Sequence, residues 1–285
     1  MIRKIAALST AVIMLQCMAL GQLQAESTSA GPRVEIGPFV SRIIYEEPGT
    51  MKESGTMYGL DGSLSWHGQQ YLGLFNTFRI DALASRGSLD YTSPNAGAIS
   101  GIENTMFETR ALLGRDFTLS GQSELSSYIG FGYRSLSDKT GGLITTAGYY
   151  GYDRHSQYLY LPIGLGVVSQ MQKGWSFDGL VEYDLFLKGI QKSNITDANN
   201  AVYTYSNDVT NDQFDGYGLR ASVKFTRRLE RFGSVAFEPF LRYWNIGASR
   251  TASFIRTDGT GSHTAIAWEP ANHSTEYGLK VSLVF

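Results

Sequence analysis

The chain has 285 residues; 32 are Gly, 17 Tyr and 15 Phe, and only 18% are charged. A formal net charge of −2 leaves no basic footprint for nucleic acid or an acidic lipid surface. A single cysteine rules out an intrachain disulfide framework, and beyond residue 25 no apolar run approaches the ~18 residues of a membrane helix.

Residues 1–25 read as a cleaved secretory signal peptide. Arg3 and Lys4 form the positive start, Ile5 to Leu20 the apolar stretch, and Leu23-Gln24-Ala25 a small-residue cleavage site before Glu26. Ser9, Thr10, Gln16 and Gly21 interrupt this stretch as a membrane helix. Cys17 lies inside it, and Gln16 stands where a lipid-attachment motif needs a small residue, so no lipoprotein is expected. Residues 26–285 are long enough for one domain.

In a strand, successive side chains face opposite sides, so an apolar residue at every second position marks one buried or lipid-facing side. Ten segments follow that period. In chain order they are marked by Val34–Ile44, Tyr58–Trp66, Leu72–Ile80, Phe107–Leu113, Leu125–Tyr133, Leu159–Val167, Phe177–Leu187, Tyr217–Phe225, Val235–Tyr243 and Tyr277–Phe285. Short links lie near Gly68, Arg115–Ser123, Met171–Gly174 and Arg227–Gly233. Long polar links lie near Glu47–Gly55, Ala84–Gly101, Leu136–Asp153, Ile190–Asp212 and Gly247–Thr275. A soluble sandwich has no reason to alternate its links in this way, whereas a membrane barrel does. The predicted fold is all-β: a transmembrane antiparallel up-and-down β-barrel of ten strands with four short turns and five long loops. Pro162 and Pro239 each remove a ladder donor and predict bulges that shift the register.

Aromatic residues sort by strand end. Tyr58, Tyr133, Tyr217, Tyr243 and Tyr277 fall toward the long loops, and Trp66, Trp175, Phe225 and Phe285 toward the short turns. Two such girdles suit the two interfaces of a bilayer. Tyr183 sits mid-strand, outside both. At this point the chain after Ala25 resembles bacterial outer-membrane β-barrels generally. The most specific element is Tyr277 to Phe285, whose terminal aromatic resembles the signal read by the barrel-assembly machinery. The resemblance implies the outer membrane of a Gram-negative cell, both termini in the periplasm, and outer-membrane lipid and lipopolysaccharide as surroundings.

The opposite row faces the lumen. Its acids are Glu35, Asp61, Asp81, Glu108, Asp178, Glu182, Asp184, Glu238 and Glu276; its bases are Arg79, Arg110, Arg134, Arg154, Lys188, Arg220, Lys224, Arg242 and Lys280. A narrow barrel holds little but side chains, so these charges must pair. They form either a salt-bridged plug or a narrow solute pathway. Balanced signs argue against a selective filter, and inward-pointing Tyr128, Tyr158, Tyr160, Phe240 and Trp244 favour a closed lumen.

No constellation for catalysis, cofactor or metal binding stands out. The omptin proteases, also ten-stranded barrels, need paired outer-loop aspartates facing an Asp-His pair; here Tyr91 and Thr92 follow Asp90, and Asp197, Asp208 and Asp212 share their loop with no His. Outer-membrane lipid hydrolases use a His-x-Ser pair on one strand face, but His155 and Ser156 are adjacent and point apart. His67, His263 and His273 are spread over a turn and a loop without metal-ligand spacing. Gly130-Phe131-Gly132 and Gly164-Leu165-Gly166 are read as relief of crowding. The loops remain. Thr251–Trp268, folded about Asp258-Gly259, predicts a projecting hairpin. Together with Asn194–Asn211 it would present Tyr203, Tyr205, Phe254 and Trp268, either to an extracellular protein or glycan or to one another. The expected function is non-enzymatic, structural or surface-binding. The alternatives are a narrow, weakly selective channel and an outer-membrane hydrolase.

Overall fold

Every second residue of the ten segments is apolar, so a sheet of them can bury that row only in lipid and must curl its polar row inward. The computed structural model describes residues 31–229 and 233–285; the signal peptide and Cys17 lie outside the described residues. The strands are β1 (Gly31–Glu47), β2 (Met51–Tyr71), β3 (Phe75–Ser93), β4 (Gly97–Ser120), β5 (Ser123–Lys139), β6 (Arg154–Gln170), β7 (Trp175–Ser193), β8 (Thr204–Tyr205), β9 (Val209–Gln213), β10 (Gly216–Leu229), β11 (Gly233–Ile246), β12 (Ala252–Asp258), β13 (Gly261–Ala267) and β14 (Asn272–Val284). Each of β1 to β6 pairs antiparallel with the next, β7 with β10, β10 with β11, β11 with β14, and β14 back onto β1. This closes the predicted ten-stranded barrel and leaves no open edge. β9 continues the wall above β10, pairing with β7 from Gly189↔Gln213 to Ser193↔Val209.

The strands outrun a bilayer. β2 has 21 residues and β4 has 24, against the roughly 9–11 needed to cross. The first two long links are therefore not open loops. β1 and β2 meet across Pro48, Gly49 and Thr50, and β3 and β4 across Pro94, Asn95 and Ala96. The polar residues there form hairpin extensions of the wall. At the other end β2 runs past Gly68 to Tyr71, and the turn is Leu72–Leu74. His67 is consequently a strand residue, not a turn residue. The aromatic girdles are present, and Tyr183 belongs to the upper one: it stacks on Tyr217 at 6.0 Å, and Tyr217 meets Tyr243 at 6.2 Å. Register across neighbouring strands brings a mid-strand residue to the level of its neighbours' ends. At the lower girdle, Trp66 stacks on Phe78 at 5.5 Å and Phe177 meets Phe225 at 5.7 Å.

The prolines do not make bulges. Ile129↔Ile163 and Gly132↔Tyr160 keep one register across Pro162, and Pro239 pairs directly with Leu279. Each proline omits ladder pairing on one side without adding a residue. A bulge lies instead in β7, where Leu159 faces Lys188 but Tyr160 faces Phe186, so Leu187 is extra. One extra residue flips every later side chain. Phe186 stays in the lumen, while Lys188 turns to the outer wall and pairs with Asp212 at 3.1 Å, 43% exposed. Lys188 is thus not a lumen charge.

The glycine-rich stretches answer to lumen aromatics. The Tyr160 ring lies over Gly132 and the Tyr128 ring over Gly164, so that a Cβ at either glycine would overlap the ring. Gly132→Ala and Gly164→Ala should each lower stability by about 1–3 kcal/mol, as overpacking does; the urea midpoint for unfolding from lipid vesicles measures it.

Candidate functional site

Strand parity places the remaining seventeen predicted charges inside the barrel, and tertiary closure decides their partners. Arg220 of β10 spans the lumen. Its Nη1 and Nη2 donate to Glu108 of β4 at 2.6 and 2.9 Å, its Nε donates to Asp184 of β7 at 2.9 Å, and Glu182 lies 2.9 Å away. Nη2 also donates to the Tyr160 hydroxyl at 2.9 Å. Arg110 donates through Nη1 to Glu182 at 2.8 Å and through Nη2 to Asp81 at 2.6 Å, and Arg79 donates to the same Asp81 at 2.5 Å. Tyr128 donates to Glu182. The guanidinium fork suits such two-sided pairing, where an ammonium would make single contacts.

A lysine hub holds together strands that meet at barrel closure. Lys280 of β14 lies 2.9 Å from Asp61, 3.1 Å from Glu35 and 3.0 Å from Glu238, and Lys224 of β10 lies 3.0 Å from Glu35. Toward the long loops, Arg242 pairs with Glu276 at 3.3 Å, and buried Arg134 sits between Glu108 at 3.7 Å and Glu276 at 4.0 Å.

Above Arg220 the lumen is packed with rings. Tyr160, Trp244, Tyr158 and Phe186 are buried, with centroids 5.0 Å apart for Tyr160–Trp244, 5.7 Å for Tyr158–Trp244 and 5.5 Å for Tyr158–Phe186. A second cluster, Phe39, Ile43, Met57, Leu83, Leu89 and Met106, fills the other side. Sequence reasoning missed this apolar half. Its signal was the same parity that found the charges, since Phe39, Ser41 and Ile43 alternate with outward Val40 and Ile44. Below the seal remains a cavity of about 300 Å³, reaching from Arg220 and Tyr128 down to His67 and Asp116 near the short turns.

At the long-loop rim, Arg154 is held by Glu47 at 2.9 Å and by Glu269, and the Tyr45 hydroxyl donates to both acids at 3.0 Å. The predicted hairpin forms as β12 and β13, and β8 joins it through Arg256↔Tyr205, making a separate three-stranded sheet. Tyr205 and Phe254 pack on each other at 5.8 Å, and Arg256 lies over Tyr203 at 5.3 Å. Trp268 remains 54% exposed. On the wall, Tyr277 and Phe285 both point outward, and the Phe285 backbone pairs with Val34 at 2.8 and 3.1 Å. His273 meets Glu46 at 3.0 Å at the rim, but on the outer wall.

Removing Arg220 would leave Glu108, Glu182 and Asp184 without their shared cation. Arg220→Met should destabilise the barrel by about 3–5 kcal/mol, read from the urea midpoint. At the rim, burial pushes the Glu269 carboxyl above the ordinary carboxylate range; Arg154 opposes the shift and Glu47 adds to it. Folded Glu269 therefore holds its proton more tightly than unfolded Glu269. Its favourable contribution is present at low pH and is lost as pH rises from the ordinary glutamate range through the raised value. Amide exchange over residues 267–272, corrected for intrinsic rate, should quicken as pH rises above the ordinary glutamate range, and Glu269→Gln should flatten that change.

No family model and no curated protein matches the chain. In structure it is similar to the outer membrane protease OmpT from Escherichia coli, with a TM-score of 0.61 at 9% identity over 92% of this chain and 99% of that one. Weaker likenesses are the translocator domain of autotransporter NalP from Neisseria meningitidis, at TM-score 0.40, 12% identity and 95% and 96% coverage, and the toluene transporter TbuX from Ralstonia pickettii, at 0.38, 7% and 90% of each chain. At such identity the first likeness is one of architecture. The acids weighed against the omptin pattern are occupied locally: Asp90 accepts from the Gly101 N–H at 3.0 Å, and Asp197 from the Asp153 N–H at 3.1 Å. Closed from ten antiparallel strands with an apolar exterior, the chain has the fold of outer-membrane β-barrel proteins.

Proposed function

We infer that this is an outer-membrane barrel with a sealed lumen, which acts by binding at its outer rim rather than by conducting solutes. The observation that carries the reading is the seal. The Arg220 network and the buried Tyr160–Trp244–Phe186 layer occupy the interior at mid-height, and opposite charges there pair with one another rather than form a ring of one sign. The barrel's outer face carries the opposite character. The sheet of β8, β12 and β13 and the residues flanking it leave Ile266 62%, Val202 62% and Trp268 54% exposed, and amphipathic aromatic and apolar side chains on a raised sheet suit contact with an extracellular protein or glycan. In this reading the wall sits in outer-membrane lipid and lipopolysaccharide. The short turns and both termini face the periplasm, and the barrel-assembly machinery reads Tyr277 and Phe285.

Purified protein in planar bilayers should give no resolvable current, and combined replacement of Tyr160, Phe186 and Trp244 by Ala should open one. A stable current through the unaltered barrel would favour the channel instead. Replacing residues 200–207 and 253–267 with short Gly-Ser links should leave the heat-modifiable folded form intact and abolish binding to arrays of glycans and extracellular-matrix proteins; undiminished binding would refute a rim-based role.

A further inference from the structure

The run Ser65-Trp66-His67 sets a hydroxyl and an imidazole two residues apart on β2, hence on one side of the strand. Both face the lumen cavity. His67 Nε2 lies 3.1 Å from Ser65 Oγ, and Nδ1 lies 3.3 Å from Asp116 Oδ2 on β4. The tautomer that satisfies both contacts carries its proton on Nδ1, donates to Asp116, and accepts the Ser65 hydroxyl at Nε2. Asp116 is fixed in turn. Thr77 on β3 donates to the same Oδ2 at 2.6 Å, and the Asp116 N–H donates to Asn76 Oδ1 at 2.8 Å. Directly across from Ser65 in register stand Arg33 on β1 and Arg79 on β3, and both line the same cavity.

The geometry points to a hydrolytic site, Ser65–His67–Asp116, at the short-turn end of the lumen, that takes a small carboxylic ester bearing an anionic group. A hydroxyl hydrogen-bonded to an imidazole that a carboxylate orients is the arrangement nucleophilic catalysis needs. Ser65 Oγ bonds to the ester carbonyl carbon while its proton passes to His67 Nε2. The carbon–alkoxy bond then breaks, and the alcohol leaves with that proton. Water, deprotonated by His67, attacks the acyl-serine, releasing the acid and restoring Ser65. Arg33 and Arg79 supply positive charge beside the carbonyl oxygen and for the anionic group. The cavity of about 300 Å³ limits the substrate to small-molecule size. Ser65 and His67 are the catalytic residues, and Asp116 is a positioning residue. The site lies at the opposite end of the barrel from the rim and stands or falls independently of it.

Folded barrel in detergent is treated with a fluorophosphonate, which loses fluoride to an attacking serine, and separately with mono-p-nitrophenyl succinate. The expected result is a phosphonyl adduct located on Ser65 by mass spectrometry, together with ester hydrolysis that Ser65→Ala abolishes. Asp116→Asn should slow both by roughly 10²–10⁴-fold, with partial recovery in Asp116→Glu; a merely structural Asp116 would change heat-modifiable migration and show no such recovery. As a second, near-isosteric route, Ser65→Cys should react with iodoacetamide faster than Ser65→Cys combined with His67→Gln. Absence of a Ser65 adduct on protein that migrates as folded, or hydrolysis that survives Ser65→Ala, would overturn the assignment. Rim-loop replacement should leave labelling unchanged.

Discussion

The structure depends on the fork that Arg220 makes across the lumen. A ten-stranded barrel of this kind offers its interior too little water to hydrate isolated charges, so each carboxylate that parity turns inward needs a cation within reach. Arg220 joins β10 to β4 through Glu108 and to β7 through Asp184 and Glu182. Arg110 carries the same pairing on to β3 through Asp81. Strands far apart along the wall are thus tied through the middle, which backbone ladders between neighbours cannot do. The aromatic layer rests on this network. Arg220 lies under Tyr160 and Trp244, with its guanidinium 5.5 and 6.0 Å from the two ring centres, so one side chain neutralises acids below and packs against rings above.

That seal gives the barrel two unlike ends. Toward the long loops stand the Arg154 cluster and the three-stranded sheet. Toward the short turns, the interior opens into a polar cavity bordered by Arg33, Ser65, His67 and Asp116. The proposed binding at one end and the proposed ester chemistry at the other need not communicate, because a packed layer of buried rings and paired charges divides them.

Departures from the expected pattern have local causes with wider effects. Proline was expected to disturb register, yet Pro162 and Pro239 stay in line, since a missing donor costs one ladder bond and shifts no side chain. Leu187 carried no warning in composition, but as an extra residue in β7 it sends Lys188 outward and brings Gly189 and Gln191 inward. The first two polar links became hairpin extensions because their residues, read as loop-like, could pair with one another above the girdle.

The sequence by itself determined the strand count, the outward apolar row, the two girdles and seventeen of the eighteen charges assigned to the lumen. All of these follow from the pleat, which alternates sides within a few residues and is written locally. Tertiary structure alone decided which charge meets which, that rings and methionines complete a seal, and that Tyr205 packs on Phe254. It also decided that Asp116 lies beside His67, 49 positions away in the chain. Contacts across a lumen depend on barrel closure, stagger and the placing of the β7 bulge. These quantities belong to the whole sheet and to no segment of it, and for that reason alternation found the residues of the cavity but not their partners.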